Sequence, residues 1–231
     1  MTPTKYTLDK ARELVQLSDY ADALIYYSHF FEQTFKNPAK YGVRLSYCLQ
    51  EWRQLGDIYP EALEELKAQK DTSLLCWKEE NEPERFQDYR SICKVLGLSK
   101  EAIEVFLQIH HKNKQLASEI VKFIWDDLVE NKNWKVCLEY LNNPLEKYQS
   151  HLSTFDNIFK KYVHDASTSN EKEIFGHGLK WFIKDITNLL LILKHNDRME
   201  DYALIRQHIT SDLASRKLSK VEILVDNKLT I

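Results

Sequence analysis

Four cysteines carry the most reactive side chains of this sequence, and their spacing decides what they can do. They stand at Cys48, Cys76, Cys93 and Cys137, so no two lie within ten residues of each other. Protein metal sites built from thiolates usually take them from closely spaced pairs, and the sequence has no such pair. Apolar residues surround each cysteine, which predicts reduced thiols that are buried and pack as small hydrophobic side chains.

Histidines offer a second route to chemistry. Gly176 and Gly178 flank His177 in the only glycine cluster of the sequence. This pattern is typical of a backbone that approaches a ligand closely, or of two closely packed helices. His110 and His111 are adjacent, so on a helix they point about 100° apart and cannot easily share a metal ion. We expect them at the surface near a helix C-terminus, where the dipole favours positive charge, and we expect no metal site.

Motifs for nucleotide binding and nucleophilic catalysis are absent. The sequence contains no GxxxxGK[ST], GxGxxG or GxSxG segment, so we expect neither a catalytic residue nor a cofactor. Only 5 of the 231 residues are glycine and 5 are proline, which disfavours Gly-rich nucleotide folds and β-sandwiches with many tight turns. A net charge of −3 and an isoelectric point of about 6.3 argue against a nucleic-acid partner.

Two stretches are candidates for contact with another protein. Acidic residues are dense at 79–84, which predicts a solvated helix cap or an attachment point for a basic partner. The aromatic run at 26–31 covers too wide an arc for one helix seam, so some of its rings must pack on two neighbours or stay exposed.

Membrane and export signals are not evident in the sequence. The longest aliphatic run, Leu189–Leu193, is far shorter than the ~20 residues needed to span a bilayer. Residues 1–8 contain no apolar region of a signal peptide. We therefore expect a cytoplasmic protein with no membrane contact.

Apolar residues spaced three and four apart predict a chain made almost entirely of about eleven or twelve helices. Thr7 caps the first, and the third opens at Pro38 and ends at Gly56. Pro60 opens the next helix, and Gly97 closes another. Residues 221–231 are rich in β-branched side chains, which predicts a short hairpin, with a frayed helix as the alternative. The other predicted helices cover 20–36, 61–70, 72–80, 83–96, 100–112, 114–130, 132–142, 144–163, 171–195 and 199–218.

A small residue followed by an aliphatic one recurs on alternate helices. The small residues are Ala23, Ala62, Ala102, Cys137 and Ala203. Four residues after each stand Tyr27, Leu66, Phe106, Leu141 and Gln207, of which all but the last are large and apolar. Such a pair predicts that the small residue lets two helices approach, while the large one fills the space one turn later on the same face.

Residues 18–24 (Ser-Asp-Tyr-Ala-Asp-Ala-Leu) and 97–103 (Gly-Leu-Ser-Lys-Glu-Ala-Ile) extend this repeat towards a known pattern. They resemble the turn and second helix of a tetratricopeptide repeat, in which the family has Gly-Asp-Tyr-x-Glu-Ala-Ile. Residues 56–63 match with one extra residue. The resemblance covers 7–142 and 171–218.

The sequence also departs from the family pattern. It lacks the Trp-x2-Leu-Gly of the first helix and the closing proline, has an additional helix near 72–80, and has no matching unit at 144–163. The resemblance implies an all-α fold of antiparallel helix hairpins stacked as a solenoid. It implies a single domain over 1–231, with a sub-boundary near 164–170 as an alternative. A different α-helical bundle is the alternative fold.

The resemblance also implies a binding groove, because the first helix of each hairpin lines the concave face in that family. These positions are polar and of mixed charge, which suits the backbone and charged ends of a peptide; an ordinary solvated helix face is the alternative. The residues are Gln50, Arg53, Glu84, Gln87, Lys94, Glu119, Lys122, Asp126, Asp185 and Asn188.

The sequence therefore predicts a non-catalytic protein–protein interaction module that binds a protein or peptide through a helical groove or an aromatic patch. Adaptor, regulator and toxin-immunity roles all fit this class. The alternative is a helical enzyme or small-ligand receptor with a site within 171–208, around His177, His195 and His208. A structural homo-oligomer is a third interpretation.

Overall fold

The computed structural model describes residues 6–162, 169–218 and 220–229, and within these ranges it is all-α, with no strand. The described ranges contain twelve helices when Tyr41–Ile58 is counted as one, which agrees with the predicted eleven or twelve. No described helix is long and apolar enough to cross a membrane. The elements are α1 (Leu8–Gln16), α2 (Tyr20–Gln33), α3 (Tyr41–Val43), a π-helical turn (Arg44–Cys48), α4 (Leu49–Ile58), α5 (Pro60–Glu80), α6 (Pro83–Val95), α7 (Ser99–Lys112), α8 (Lys114–Glu130), α9 (Trp134–Glu139), α10 (Pro144–Tyr162), α11 (Ser169–His195), α12 (Met199–Ser215) and α13 (Lys220–Leu229).

Local sequence determines several helix ends as predicted. The Thr7 side chain caps α1 by accepting a hydrogen bond from the Lys10 N–H at 3.3 Å. Pro60 takes the first position of α5, where its missing N–H has no intrahelical partner to lose. Gly97 follows α6 with φ of +74°, a left-handed conformation that glycine adopts without steric penalty.

The third predicted helix differs from the structure at both ends. It begins at Tyr41 rather than Pro38, because Asn37 starts a turn in which its side chain accepts a hydrogen bond from the Ala39 N–H. Gly56 does not end the helix, which continues to Ile58. Instead, Gly56 is buried against Leu63, and a Cβ added there would lie 2.9 Å from the Leu63 Cβ. This glycine therefore serves close helix packing rather than a turn.

One other prediction was wrong, because residues 61–70 and 72–80 belong to the single helix α5, which no glycine or proline interrupts. The C-terminal segment forms the helix α13, the stated alternative to the hairpin. Val221, Val225 and Leu229 are buried there at intervals of four, which is the spacing of one helix face, and α13 packs on α11.

The chain divides into two compact units, Met1–Asp127 and Leu128–Ile231. In the first, helices α1, α2, α4 and α5 enclose a core around Trp52, which is fully buried. In the second, α11 packs against α9, α10, α12 and α13, and its second half is buried on nearly every side. The predicted sub-boundary at 164–170 lies largely outside the described residues.

The repeated small residues behave as predicted at four of five positions. Ala23, Ala62, Ala102 and Cys137 are each at most 1% exposed. Ala203 is exposed, and α12 buries Ile205 and Ile209 instead, so the fifth position of the repeat was assigned to the wrong face.

Candidate functional site

The ten predicted groove residues lie on four helices. Those of the first unit are Gln50 and Arg53 on α4, Glu84, Gln87 and Lys94 on α6, and Glu119, Lys122 and Asp126 on α8; those of the second are Asp185 and Asn188 on α11.

Three of these residues have environments that constrain their role. Arg53 forms an ion pair with Asp57 one turn later on the same helix. Asp185 lies 3.1 Å from Nδ1 of His151 on α10. Asn188 is only 9% exposed, and its amide nitrogen has no hydrogen-bond partner among the described residues. It is therefore an interior residue of the second unit.

A cleft of about 390 Å³ opens between α1 and α4 in the first unit. Such a volume is within the range of clefts that bind ligands. Tyr27 and Leu55, each 2% exposed, are its most buried lining residues. The lining comprises Arg12, Val15 and Gln16 from α1, Tyr27 from α2, and Glu51, Gln54, Leu55 and Ile58 from α4. We call it the α1–α4 cleft.

An ion pair joins the two helices of this cleft. Arg12 donates from Nη2 to Oε1 of Glu51 at 2.8 Å and from Nε to Oε2 at 3.0 Å, a two-point geometry that orients both side chains. This bond raises the pKa of Arg12. The Tyr27 hydroxyl donates to Glu51 at 3.3 Å, and burial raises its pKa. Arg12 also donates to Asp9 at 2.9 Å, so this guanidinium is satisfied by the chain itself.

The rest of the cleft is open to a binding partner. Gln16 and Gln54 stand exposed on α1 and α4, and neither side chain forms a hydrogen bond with another described residue. Each amide can both donate and accept a hydrogen bond. Ile58 lines the same cleft and is 55% exposed. The cleft therefore combines apolar surface, a fixed ion pair and two free amides, which suits a peptide.

A second cleft of about 390 Å³ adjoins the first, because Arg12 lines both. It lies between the start of α1 and the end of α2, where Phe30 and Val43 supply apolar surface and Gln33 and Lys40 supply polar groups. A chain bound in the α1–α4 cleft can thus continue past Arg12 into a further recess of the same unit.

The α1–α4 cleft was not predicted from the sequence. Gln50 and Arg53, the groove residues predicted on α4, do not line it, whereas residues 51, 54, 55 and 58 of the same helix do. The sequence did contain a signal that these four residues share a surface, because positions 51, 54, 55 and 58 have the spacing of one helix face.

A buried ion pair holds the start of this helix. Arg44, in the π-helical turn, pairs with Asp88 on α6, with Nη2 donating to Oδ2 at 2.7 Å, and both side chains are 1% exposed. Arg44 Nε also donates to the Phe31 carbonyl at 2.6 Å, and its guanidinium lies 3.8 Å from the Phe31 ring centroid. Burial raises the pKa of Asp88, and Arg44 opposes that shift. This pair joins α2, the π-helical turn and α6.

Three of the four cysteines are buried, as the sequence predicted, and Cys76 is the exception. All four cysteines are free, and Cys48, Cys93 and Cys137 are buried, while Cys76 is partly exposed on α5. Burial raises the pKa of Cys93 to about 12 and that of Cys137 to about 12. The reactive thiolate is therefore disfavoured at these two positions.

The histidine pair on α7 does not lie wholly at the surface. His110 is 3% exposed and stacks on Phe106, so its predicted surface position was wrong, whereas His111 is exposed. The ring of His110 fills the interior because it falls one turn after Phe106 on the same face.

The glycine–histidine cluster serves helix packing on one side. A Cβ on Gly178 would lie 2.9 Å from Cδ1 of Ile158, so this glycine lets α10 approach α11. His177 is exposed and lies 3.5 Å from Glu173. His195 stacks on Trp134 instead.

The last of the three histidines, His208, lies beside the ring of Tyr148. No group of three metal-binding side chains occurs among the described residues.

Comparisons with protein families, curated proteins and solved structures found no match to this chain. The case for function therefore depends on the residues themselves.

Proposed function

We propose that this protein is a non-catalytic interaction module that binds an extended peptide segment of a partner protein in the α1–α4 cleft. The observation that carries this proposal is the pair of free amides, Gln16 and Gln54, on the two helices beside the apolar side chains of the cleft. An extended peptide presents unpaired N–H and C=O groups along its length, and glutamine amides can bind both.

The apolar part of the cleft sets the preferred side chain of the peptide. Val15, Leu55 and Ile58 offer aliphatic surface, and Ile58 is 55% exposed. Covering this surface with a leucine, isoleucine or phenylalanine of the partner removes apolar area from water at about 25 cal/mol per Å². Arg12 and Glu51 already neutralise each other, so the cleft favours an uncharged apolar anchor.

A helix-hairpin solenoid of the tetratricopeptide type is the arrangement that we propose for this module. The buried small residues Ala23, Ala62 and Ala102, each followed by a large apolar residue four positions later, support it. Adaptor, regulator and toxin-immunity roles would all use the same peptide-binding step.

A direct test selects peptides from a random phage-displayed library on the wild-type protein and measures their affinity by calorimetry. We expect Ile58→Glu and Gln54→Ala each to weaken binding, the first by about tenfold or more, because interface residues at an anchor contribute over 1 kcal/mol. Leu75→Glu is the matched control, since Leu75 is 54% exposed on α5, outside the cleft. Peptides that bind Ile58→Glu as tightly as wild type would overturn the proposal.

The wider groove predicted from the sequence is tested in the same assay. Arg53→Glu and Lys122→Glu reverse charges on α4 and α8. If the groove extends along these helices, both changes weaken the selected peptides. If only the Ile58 variant loses affinity, the site is limited to the α1–α4 cleft.

A further inference from the structure

A basic cavity of about 330 Å³ lies in the second unit. It is lined by Lys132, Asn133, Trp134, Lys135, Val136 and His195. The residues come from the turn after α8, the start of α9 and the end of α11.

The walls of this cavity are held in place by the backbone. Lys132 adopts a left-handed conformation, with φ of +60°, in the turn that ends α8. Its N–H donates a hydrogen bond to the Val129 carbonyl at 3.0 Å, and the Asn133 N–H donates one to the Leu128 carbonyl at 2.9 Å. This pair of hydrogen bonds is typical of a Schellman turn. The Lys132 side chain is thus carried by a defined turn rather than by a flexible loop.

An aromatic pair forms another wall. The rings of Trp134 and His195 stack with centroids 4.8 Å apart and planes 4° from parallel. Asn196 fixes this pair, because its amide donates to the Trp134 carbonyl at 3.0 Å and to the Ile192 carbonyl at 2.7 Å. With Val136, these rings give the cavity a rigid apolar surface next to its cations.

The two lysines of the cavity have no counterion among the residues that the structure describes. Neither Lys132 nor Lys135 forms an ion pair or side-chain hydrogen bond with another described residue, and both are exposed. Two other cationic side chains of this unit do have partners: Lys194 donates a hydrogen bond to the Leu229 carbonyl at 3.3 Å, and Arg198 forms an ion pair with Asp201. Positive charge therefore remains available inside the cavity.

We propose that this cavity binds a glutamate side chain within an acidic segment of a protein partner. Two lysine ammonium groups match one or two carboxylates, and the Trp134–His195 wall accommodates the methylene groups of glutamate. A nucleic acid needs a longer basic track, since it carries a charge every few ångströms along its length, and this chain has a net charge of −3. The proposal adds a second site and does not depend on the peptide cleft.

The test measures fluorescence anisotropy of a labelled peptide of alternating glutamate and glycine at low ionic strength. The same peptide with glutamine in place of glutamate reports binding without charge. We expect the double variant Lys132→Gln, Lys135→Gln to weaken binding of the glutamate peptide at least about fivefold. Glutamine tolerates the left-handed conformation of Lys132 about as well as lysine, and a thermal melt verifies that the variant is folded.

The control removes two exposed lysines on α7 in the first unit, Lys100→Gln and Lys112→Gln. We expect it to bind the peptide within about twofold of wild type. Equal weakening in the two double variants, or equal binding of the glutamate and glutamine peptides, overturns the proposal. Pyrophosphate or oligothymidylate that displaces the peptide at a lower concentration than unlabelled glutamate peptide also overturns it, in favour of a phosphate-binding site.

Discussion

Removing the carboxylate of the buried Arg44–Asp88 pair should be among the most damaging single changes in the first unit. In Asp88→Ala, the Arg44 guanidinium keeps its bond to the Phe31 carbonyl but loses its counterion in a position that is 1% exposed. A buried ion left without its partner typically destabilises a protein by about 3–5 kcal/mol. Since domains are stable by only about 5–15 kcal/mol, this is a large fraction of the total.

A double-mutant cycle separates the pair interaction from the packing of each side chain. The cycle uses Asp88→Ala, Arg44→Met and the double variant, with urea unfolding followed by far-UV circular dichroism and by tryptophan fluorescence. The double variant contains no unpaired buried charge, so we expect it to be at least about 2 kcal/mol more stable than Asp88→Ala. Methionine retains part of the contact of Arg44 with the Phe31 ring, which lies 3.8 Å from the guanidinium.

An exposed ion pair is the control for this cycle. Arg53 and Asp57 pair at the surface, with side chains 33% and 61% exposed, so Arg53→Ala should change stability by about 0.5 kcal/mol or less. The reasoning is refuted if Asp88→Ala lies within about 1 kcal/mol of wild type. It is also refuted if the two single effects simply add, because additivity means that the charges do not interact.

Three further predictions concern packing, buried polar groups and pH. Gly56→Ala should lower stability by about 1–3 kcal/mol, because the added Cβ would lie against the Cβ and backbone of Leu63. Gly42→Ala is the control: it has open space around it and should raise stability slightly. Thermal melts of the two variants measure the difference. Asn188→Leu should stabilise the second unit by about 1 kcal/mol in urea unfolding, because the buried amide nitrogen has no partner among the described residues; a loss of stability would show that the amide is satisfied. Burial raises the pKa of Cys93 from 9.0 to about 12, so the unfolded chain releases this proton first and stability should fall as pH rises from about 9 towards 12. Cys93→Ala should reduce that slope by up to about 1.4 kcal/mol per pH unit, and an unchanged slope contradicts the assignment.

Much of the architecture was predictable because it depends on local rules. The apolar spacing predicted helices at almost every correct place, and Thr7, Pro60 and Gly97 marked helix ends through capping and backbone geometry. The buried alanines at 23, 62 and 102 were visible as a recurring small residue. These features need only the nearest few residues, which the sequence displays directly.

The errors occurred where a tertiary contact overrides a local signal. Gly56 has the residue type of a helix end, but it lies inside α4 because Leu63 packs against its backbone. Val221 and Val225 favour a strand by type, but α11 provides a surface that buries them as one face of a helix.

The sequence alone determined that the described part of this chain is helical, where most of its helices begin and end, and that three of its four cysteines are buried. Only the tertiary structure decided which polar residues share a cleft. Glu51, Gln54 and Ile58 of α4 line a cleft with Arg12 and Gln16 of α1, because both helices bury their apolar residues in the same core around Trp52. The spacing of these residues on α4 shows that they share a helix face, but only the packing of distant segments of the chain decides that α1 lies beside that face.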